Sequence, residues 1–366
     1  MSRTLRAVTL AAISWLAYTI GLSPVIADAA TLKVPTSFPT IQSAVDAANA
    51  GDTIRIAPGT YVEQVSIAKN LELIGSGPIT TIIRAPGILA PGQSGRTSIV
   101  EIHGGASVAI SRLAVSGPGA GTCDQGALND GILVFDAAHL DLTFAIVAHI
   151  HDTPLFNCFH SGHGITIGVP FVSTGSATIR YSAVSDYAQV GIIVFNEGST
   201  VMISDNIVTG AGRSTVVANG GIELIFGAVG TVSRNIISGN ACGSSALGCG
   251  PDFFNEFQVA GIAGGGAGTV ISQNLLFGNQ VGIYVGDTAT LSRNLLLGND
   301  YFGIALQDGS FTSSQDRIVG GVGGVAVIAA FADALATLDK VKISGTSGAP
   351  VQTFECCGFT ATVIGP

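Results

Sequence analysis

Acid, base and metal-binding side chains are scarce in this chain, and the few present are clustered. Four of its six histidines, His149, His151, His160 and His163, fall within fifteen residues of one another, with Asp152 among them. His-x-His and His-x-x-His spacings offer imidazole nitrogens to a metal such as zinc. The alternative is a polar loop whose histidines cap backbone groups, and no spacing here reproduces a zinc signature. Further along, Glu223 and Arg213 are the nearest approach to an acid and a base for acting on an acidic polymer. Calcium-dependent elimination would also need clustered carboxylates, which do not accompany them. Glu223 would equally serve as an ion-pair partner for an arginine. No cofactor is expected, and neither the spacing nor the carboxylates support calcium or zinc.

These groups must be positioned by a chain of unusual composition. Glycine supplies 50 of 366 residues, charged residues only 11% and hydrophobic ones 47%, with a mean hydropathy of +0.54. Disorder is excluded, because disordered chains are rich in charge and poor in β-branched residues. Collagen is excluded, because the glycines follow no three-residue period. Helix formers are too few for a bundle. An all-β protein with a turn every few residues remains. The acidic balance, −9 in formal net charge, gives no reason to expect nucleic acid as a partner.

The first 29 residues read as a signal peptide: Arg3 and Arg6, an apolar stretch from Ala7 to Ile20, and an Ala27-Asp28-Ala29 cleavage site. A secreted or periplasmic protein is expected, without a later membrane span. The apolar run Ile318 to Ala332 is Gly-rich, ended by Asp333 and shorter than the ~20 residues a spanning helix needs.

Internal repeats decide the fold. A Gly-Ile strand recurs at Gly131, Gly164, Gly191, Gly221, Gly261, Gly282 and Gly303, the last three 21 residues apart. Between them stands Ser-x-Asn, ending at Asn206, Asn235, Asn274 and Asn294. Each unit reads as three short strands, which bury a face only by stacking on the next coil. The expectation is an all-β, single-stranded parallel β-helix, right-handed by the rule for parallel crossovers. Asn is suited to left-handed turn angles and, stacked, to an amide ladder. Alternation turns Leu133, Phe135, Ile193, Phe195, Glu223 and Tyr284 outward from the Gly-Ile strands. Residues 30–52 form an N-terminal capping segment with a helix over Thr40 to Ala50, and the β-helix fills 53–366, its first strand at Thr53 to Ile56.

Departures from the 21-residue coil all precede a Gly-Ile strand: Gly117 to Asp130, Ala148 to His163, Ala211 to Gly220 and Ala241 to Ala260. These insertions should gather on one side of the rod, where repeat proteins often bind. Four of the six cysteines lie in them, pointing to Cys123–Cys158 and Cys242–Cys249 bridges. The partners of Cys356 and Cys357 stay open.

Pro39-Thr40-Ile41-Gln42, Ala50-Gly51-Asp52-Thr53-Ile54, Gly59-Thr60-Tyr61-Val62-Glu63 and Leu71-Glu72-Leu73-Ile74-Gly75 together resemble the opening of the pectin-lyase-like superfamily. The likeness is to pectin methylesterases and NosD-like proteins, and it bears on fold rather than chemistry. Ser161-Gly162-His163-Gly164 is similar to the Gly-His-Gly motif of polygalacturonase-type hydrolases, and Asn129-Asp130-Gly131 to their Asn-Thr-Asp-Gly element. That resemblance implies Asp130 and Asp152 as acid and base with His163 beside them. The paired aspartates are missing, because Thr153 follows Asp152, and no Arg-Ile-Lys follows His163. The methylesterase elements are absent too, since Gly221 to Gly227 lacks the aspartate.

Two functions follow. One is an exported protein that binds or processes polysaccharide on the strand face flanked by the insertions, a hydrolase or lyase if an enzyme. Its catalytic candidates are Asp130, Asp152, His163 and Glu223, and its substrate-binding candidates His151, Phe195, Arg213 and Tyr284. The other is a non-catalytic envelope protein. In either case a monomer is expected. The apolar residues on the outward face count against an open sugar cleft, unless the insertions cover them.

Overall fold

The computed structural model describes residues 29–155, 158, 161–243 and 259–365. The expected signal peptide therefore lies almost wholly outside the described residues, as do His160 and Cys249. Among the described residues no helix is long and apolar enough to cross a membrane.

Three parallel sheets of 11, 13 and 11 strands run the length of the chain, and successive strands of one coil go to different sheets. A typical coil contributes a strand to the sheet that carries Gly-Ile, then a second strand and a third strand before the chain returns one layer up. This is a right-handed parallel β-helix, as the repeats require. The Gly-Ile sheet includes Ser98–Ile102, Asp130–Val134, His163–Ile167, Val190–Phe195, Gly220–Ile225, Ala260–Gly264, Val281–Val285 and Phe302–Gln307. Aligned isoleucines, Ile132, Ile165, Ile192 and Ile222, stack inward and are fully buried. The glycine before them allows close approach at the corner. A Cβ on Gly131 would stand 2.6 Å from the Gly164 carbonyl oxygen and 2.9 Å from Val147.

Two expectations need correction at the N-terminus. The first strand is Thr31–Val34, which pairs in parallel with Thr53–Ile56, so a strand precedes the helix. The helix is Ile41–Ala47, shorter than Thr40 to Ala50. Thr40 is its N-cap, in a reciprocal capping box with Ser43. Glu63 accepts from the Ile41 and Gln42 amides at 2.9 and 2.8 Å, which satisfies two more of the orphan donors of the first turn. Ile41, Ala44 and Val45 are buried in the main core.

The Asn ladder forms as expected: Asn206 Nδ2 donates to Asn235 (3.1 Å), Asn235 to Asn274 (3.0 Å), Asn274 to Asn294 (3.0 Å) and Asn294 to Asp316 (3.0 Å). The left-handed residue is not the asparagine, however. It is the residue before it: Asp205, Arg234, Gln273 and Arg293 have φ of 61, 56, 59 and 55°. The turn places that residue outward while the asparagine is drawn inside to bond with its neighbours. A second ladder at the third-strand corner, Asn240 to Asn279 to Asn299 at 2.8 and 3.1 Å, was not anticipated from the repeats.

Cys123 and Cys158 are disulfide-bonded, tying together two of the expected insertions. Cys356 and Cys357 bridge to each other.

Candidate functional site

Register on the Gly-Ile sheet sets what can meet what. Asp130 pairs with Ser98 on one side and His163 on the other, and Leu133, Thr166, Ile193 and Glu223 form one outward row. Past Glu223 the row continues through Ala263 and Tyr284. The face falls into two stretches along this row.

In the first stretch, Asp130 and His163 do come together, and they are sealed in. Asp130 is fully buried, and Arg96 grips it with Nε and Nη2, both at 2.7 Å. Thr166 Oγ1 donates to it at 2.6 Å and Ser98 Oγ at 3.3 Å, with His163 Nδ1 3.5 Å away. Burial alone would raise this carboxyl's pKa, but Arg96 and His163 hold it well below the usual carboxylate range. His163 is itself buried, and burial pushes its pKa down against the pull of Asp130. The expectation of Asp130 and His163 as groups facing a cleft is corrected here. They lie beneath the surface as a satisfied ion-pair network. Arg96 and Thr166 are the members missed in the sequence; Arg96 is a lone arginine between Gly95 and Thr97, with nothing nearby to mark its partner.

Asp152 stands apart from that network. Its two oxygens accept from the Gly121 amide (3.0 Å) and the Leu128 amide (2.9 Å), pinning the preceding insertion. Burial raises its pKa against those two donors. It is spent on holding a loop, not aimed at Asp130.

The outward apolar residues are covered, though by residues outside the four expected insertions. Leu133 and Phe135 pack with Val169, and Ile193 and Phe195 with Val190 and Ile225. Phe195 also lies against Phe226, ring centroids 6.1 Å apart. The expected role of Phe195 as an accessible sugar platform is corrected: the ring is outward-facing and fully buried. Part of this cover is a turn at 168–175, an insertion at a corner where none was expected.

The second stretch opens at Glu223, which is only partly buried. Its carboxyl folds over Gly220, where a side chain would collide with it. Among the described residues nothing hydrogen-bonds or ion-pairs with it. Burial raises its pKa to about 7. Tyr187, whose own pKa burial raises, feels the Glu223 charge from within the core. Two coils on, Tyr284 is partly buried and donates to Gln307 Oε1, and burial raises its hydroxyl to about 12. Arg213 does not pair with Glu223: its guanidinium bonds the Cys242 carbonyl at 2.9 Å and pairs with Asp300. His151 is elsewhere again, 3.5 Å from Asp186.

Three long parallel sheets and stacked coils define the class, a right-handed parallel β-helix, and Glu223 is its candidate acid–base group. Comparison with known proteins agrees on the fold. The family described as a right handed beta helix region matches residues 167–341. An alginate lyase from Paenibacillus sp. str. FPU-7 superposes with a TM-score of 0.57 over 91% of this chain and 99% of its own, at 14% identity. The catalytic domain of a GH87 α-1,3-glucanase gives 0.52 over 90% of this chain and 68% of its own, at 16% identity. A GH136 lacto-N-biosidase from Eubacterium ramulus gives 0.54 over 83% and 62%, at 12% identity. No curated protein sequence matches the chain.

Proposed function

We propose that the protein is an exported β-helix that binds and processes polysaccharide on the second stretch of the Gly-Ile face, with Glu223 as the proton-transfer group. The observation that carries this reading is the Glu223 carboxyl itself. It is partly buried, unpaired among the described residues, and raised to about 7 by its surroundings. A carboxyl poised near neutral pH donates and accepts protons with little bias, which is what general acid–base catalysis requires. Tyr284 lies two coils away in the same outward row and offers a ring and a hydroxyl to a sugar. The fold neighbours named as a lyase, a glucanase and a biosidase support a glycan as the partner. Export rests on the N-terminal sequence, and a monomer is the expected state.

The test is a panel of acidic and neutral polysaccharides, scored for depolymerisation and for retarded migration in affinity gels. Wild type should act on at least one, with a pH–rate limb near 7. Glu223→Gln should lose about 100-fold or more in rate while still binding. A variant as active as wild type would remove Glu223 from the reaction.

One observation favours a second, non-catalytic reading. At the corner between second and third strands, Phe144 and Tyr181 stack coil on coil, 5.4 Å between centroids, and both are more than half exposed. Both occupy the left-handed turn position that Asp205 and Arg234 hold in later coils, with φ of 52 and 51°, and that turn directs both rings outward. Arg112 and Asp205 line the same groove, of about 850 Å³. Loss of gel retardation in Tyr181→Ala, with the rate on a soluble oligosaccharide intact, would assign glycan binding to this groove.

A further inference from the structure

We propose that His149, His151 and Asp186 form a binding site for a divalent transition-metal ion of the zinc class. His149 and Asp186 sit on the third-strand sheet, where strand Ile146–Ile150 pairs with Ala183–Tyr187, and His151 follows directly on the end of the first of these strands. The ladder joins Ala148 to Ser185 and Ile150 to Tyr187, so His149 and Asp186 occupy the same place in adjacent coils. Both have left-handed backbone, with φ of 58 and 51°. That shared bulge turns both side chains off the sheet toward one point.

The protons there are assigned by the partners. His151 Nδ1 lies 3.1 Å from the Asp152 carbonyl, which can only accept, so Nδ1 carries the hydrogen. A neutral His151 then presents the Nε2 lone pair to Asp186 Oδ2 at 3.5 Å. Two electron-rich atoms facing each other need a cation between them, a proton or a metal. Asp186 Oδ2 also accepts from His149 Nδ1 at 2.5 Å. One ligand atom from each of the three residues lies within 4.8 Å of the other two. Ligand atoms of a tetrahedral zinc site stand roughly 3.3 Å apart, so these partly exposed side chains close on an ion by a small movement. The Asp152 carbonyl is the outer partner that fixes a ligating imidazole's tautomer in known sites. Two imidazoles and one carboxylate leave a fourth position open. His151 and Asp186 also line a cavity of about 230 Å³ with Thr153 and Ser214, and water or a small oxygen donor entering there would take that position.

The experiment is a titration of chelator-treated protein with zinc alone, followed by competition with a chromophoric chelator, repeated with cobalt to read the visible spectrum. One ion per chain should bind. His149→Ala and Asp186→Asn should each weaken binding by about 100-fold or more, beyond the 10–100-fold typical of outer-shell losses. His139→Ala, at the separate His139–Asp141 pair, should change nothing. Circular dichroism of each variant checks that the coil is intact. Binding that is absent, or equal in wild type and Asp186→Asn, overturns the proposal.

Discussion

Two carboxyls on one sheet, Asp130 and Glu223, have opposite fates. Asp130 is saturated: Arg96, Thr166 and Ser98 all reach it, and it is locked as an anion. Glu223 stands further along the same face, without a partner among the described residues, and hovers near neutrality. The lesson is that burial alone does not make a reactive acid. Burial with full pairing makes a strut; burial without pairing makes a group whose proton is easily exchanged.

The contrast should break most visibly when Asp130 is changed. Asp130→Asn leaves the Arg96 charge facing a neutral amide in a buried network, which should cost about 3–5 kcal/mol in urea unfolding at pH 7. Because Asp130 is depressed in the folded state, its contribution is present above the ordinary aspartate value and is lost as pH falls below it. The gap between wild type and variant should therefore narrow in acid.

Glu223→Gln should move the other way. A carboxyl raised to about 7 when folded binds its proton more tightly in the folded chain. Wild-type stability then declines as pH rises from the ordinary glutamate value through about 7, by at most about 3 kcal/mol. The glutamine variant escapes that decline, so it should match wild type near pH 4 and be the more stable of the two at pH 8. A stabilising change that also abolishes activity is the mark of a functional residue.

A smaller effect separates both carboxyls from the scaffold. Asn274→Ala removes a ladder rung that donates to the Val232 carbonyl (2.9 Å) and to Asn294 (3.0 Å). The unmet buried partners should cost about 1–3 kcal/mol, independent of pH over the range 4–8.

Much of this scaffold was legible in the sequence, because it is repeated. Gly-Ile and Ser-x-Asn recur often enough to declare three strands per coil, and the ladder from Asn206 to Asn294 followed. The helix under Thr40 was legible from its spacing, but the strand Thr31–Val34 before it was not, being one short segment outside any repeat. The site was harder, for a physical reason. Asn129-Asp130-Gly131 and Ser161-Gly162-His163 look like catalytic elements, yet an arginine 34 residues before Asp130 decides its state, and no local pattern announces that pairing. Glu223 could be placed on the outward face by alternation alone; that nothing among the described residues pairs with it could not, since Arg213 turns to Asp300 instead. His149 and Asp186 meet only because two coils share the same left-handed bulge.

The most direct measurement is the carboxyl titration followed by carbon-13 NMR in protein labelled at Asp and Glu side chains. One glutamate resonance should titrate near pH 7 and vanish in Glu223→Gln, while one aspartate, missing in Asp130→Asn, stays ionised well below pH 4. If every glutamate titrates between about 4 and 5, Glu223 is an ordinary carboxylate and the account of this face is wrong.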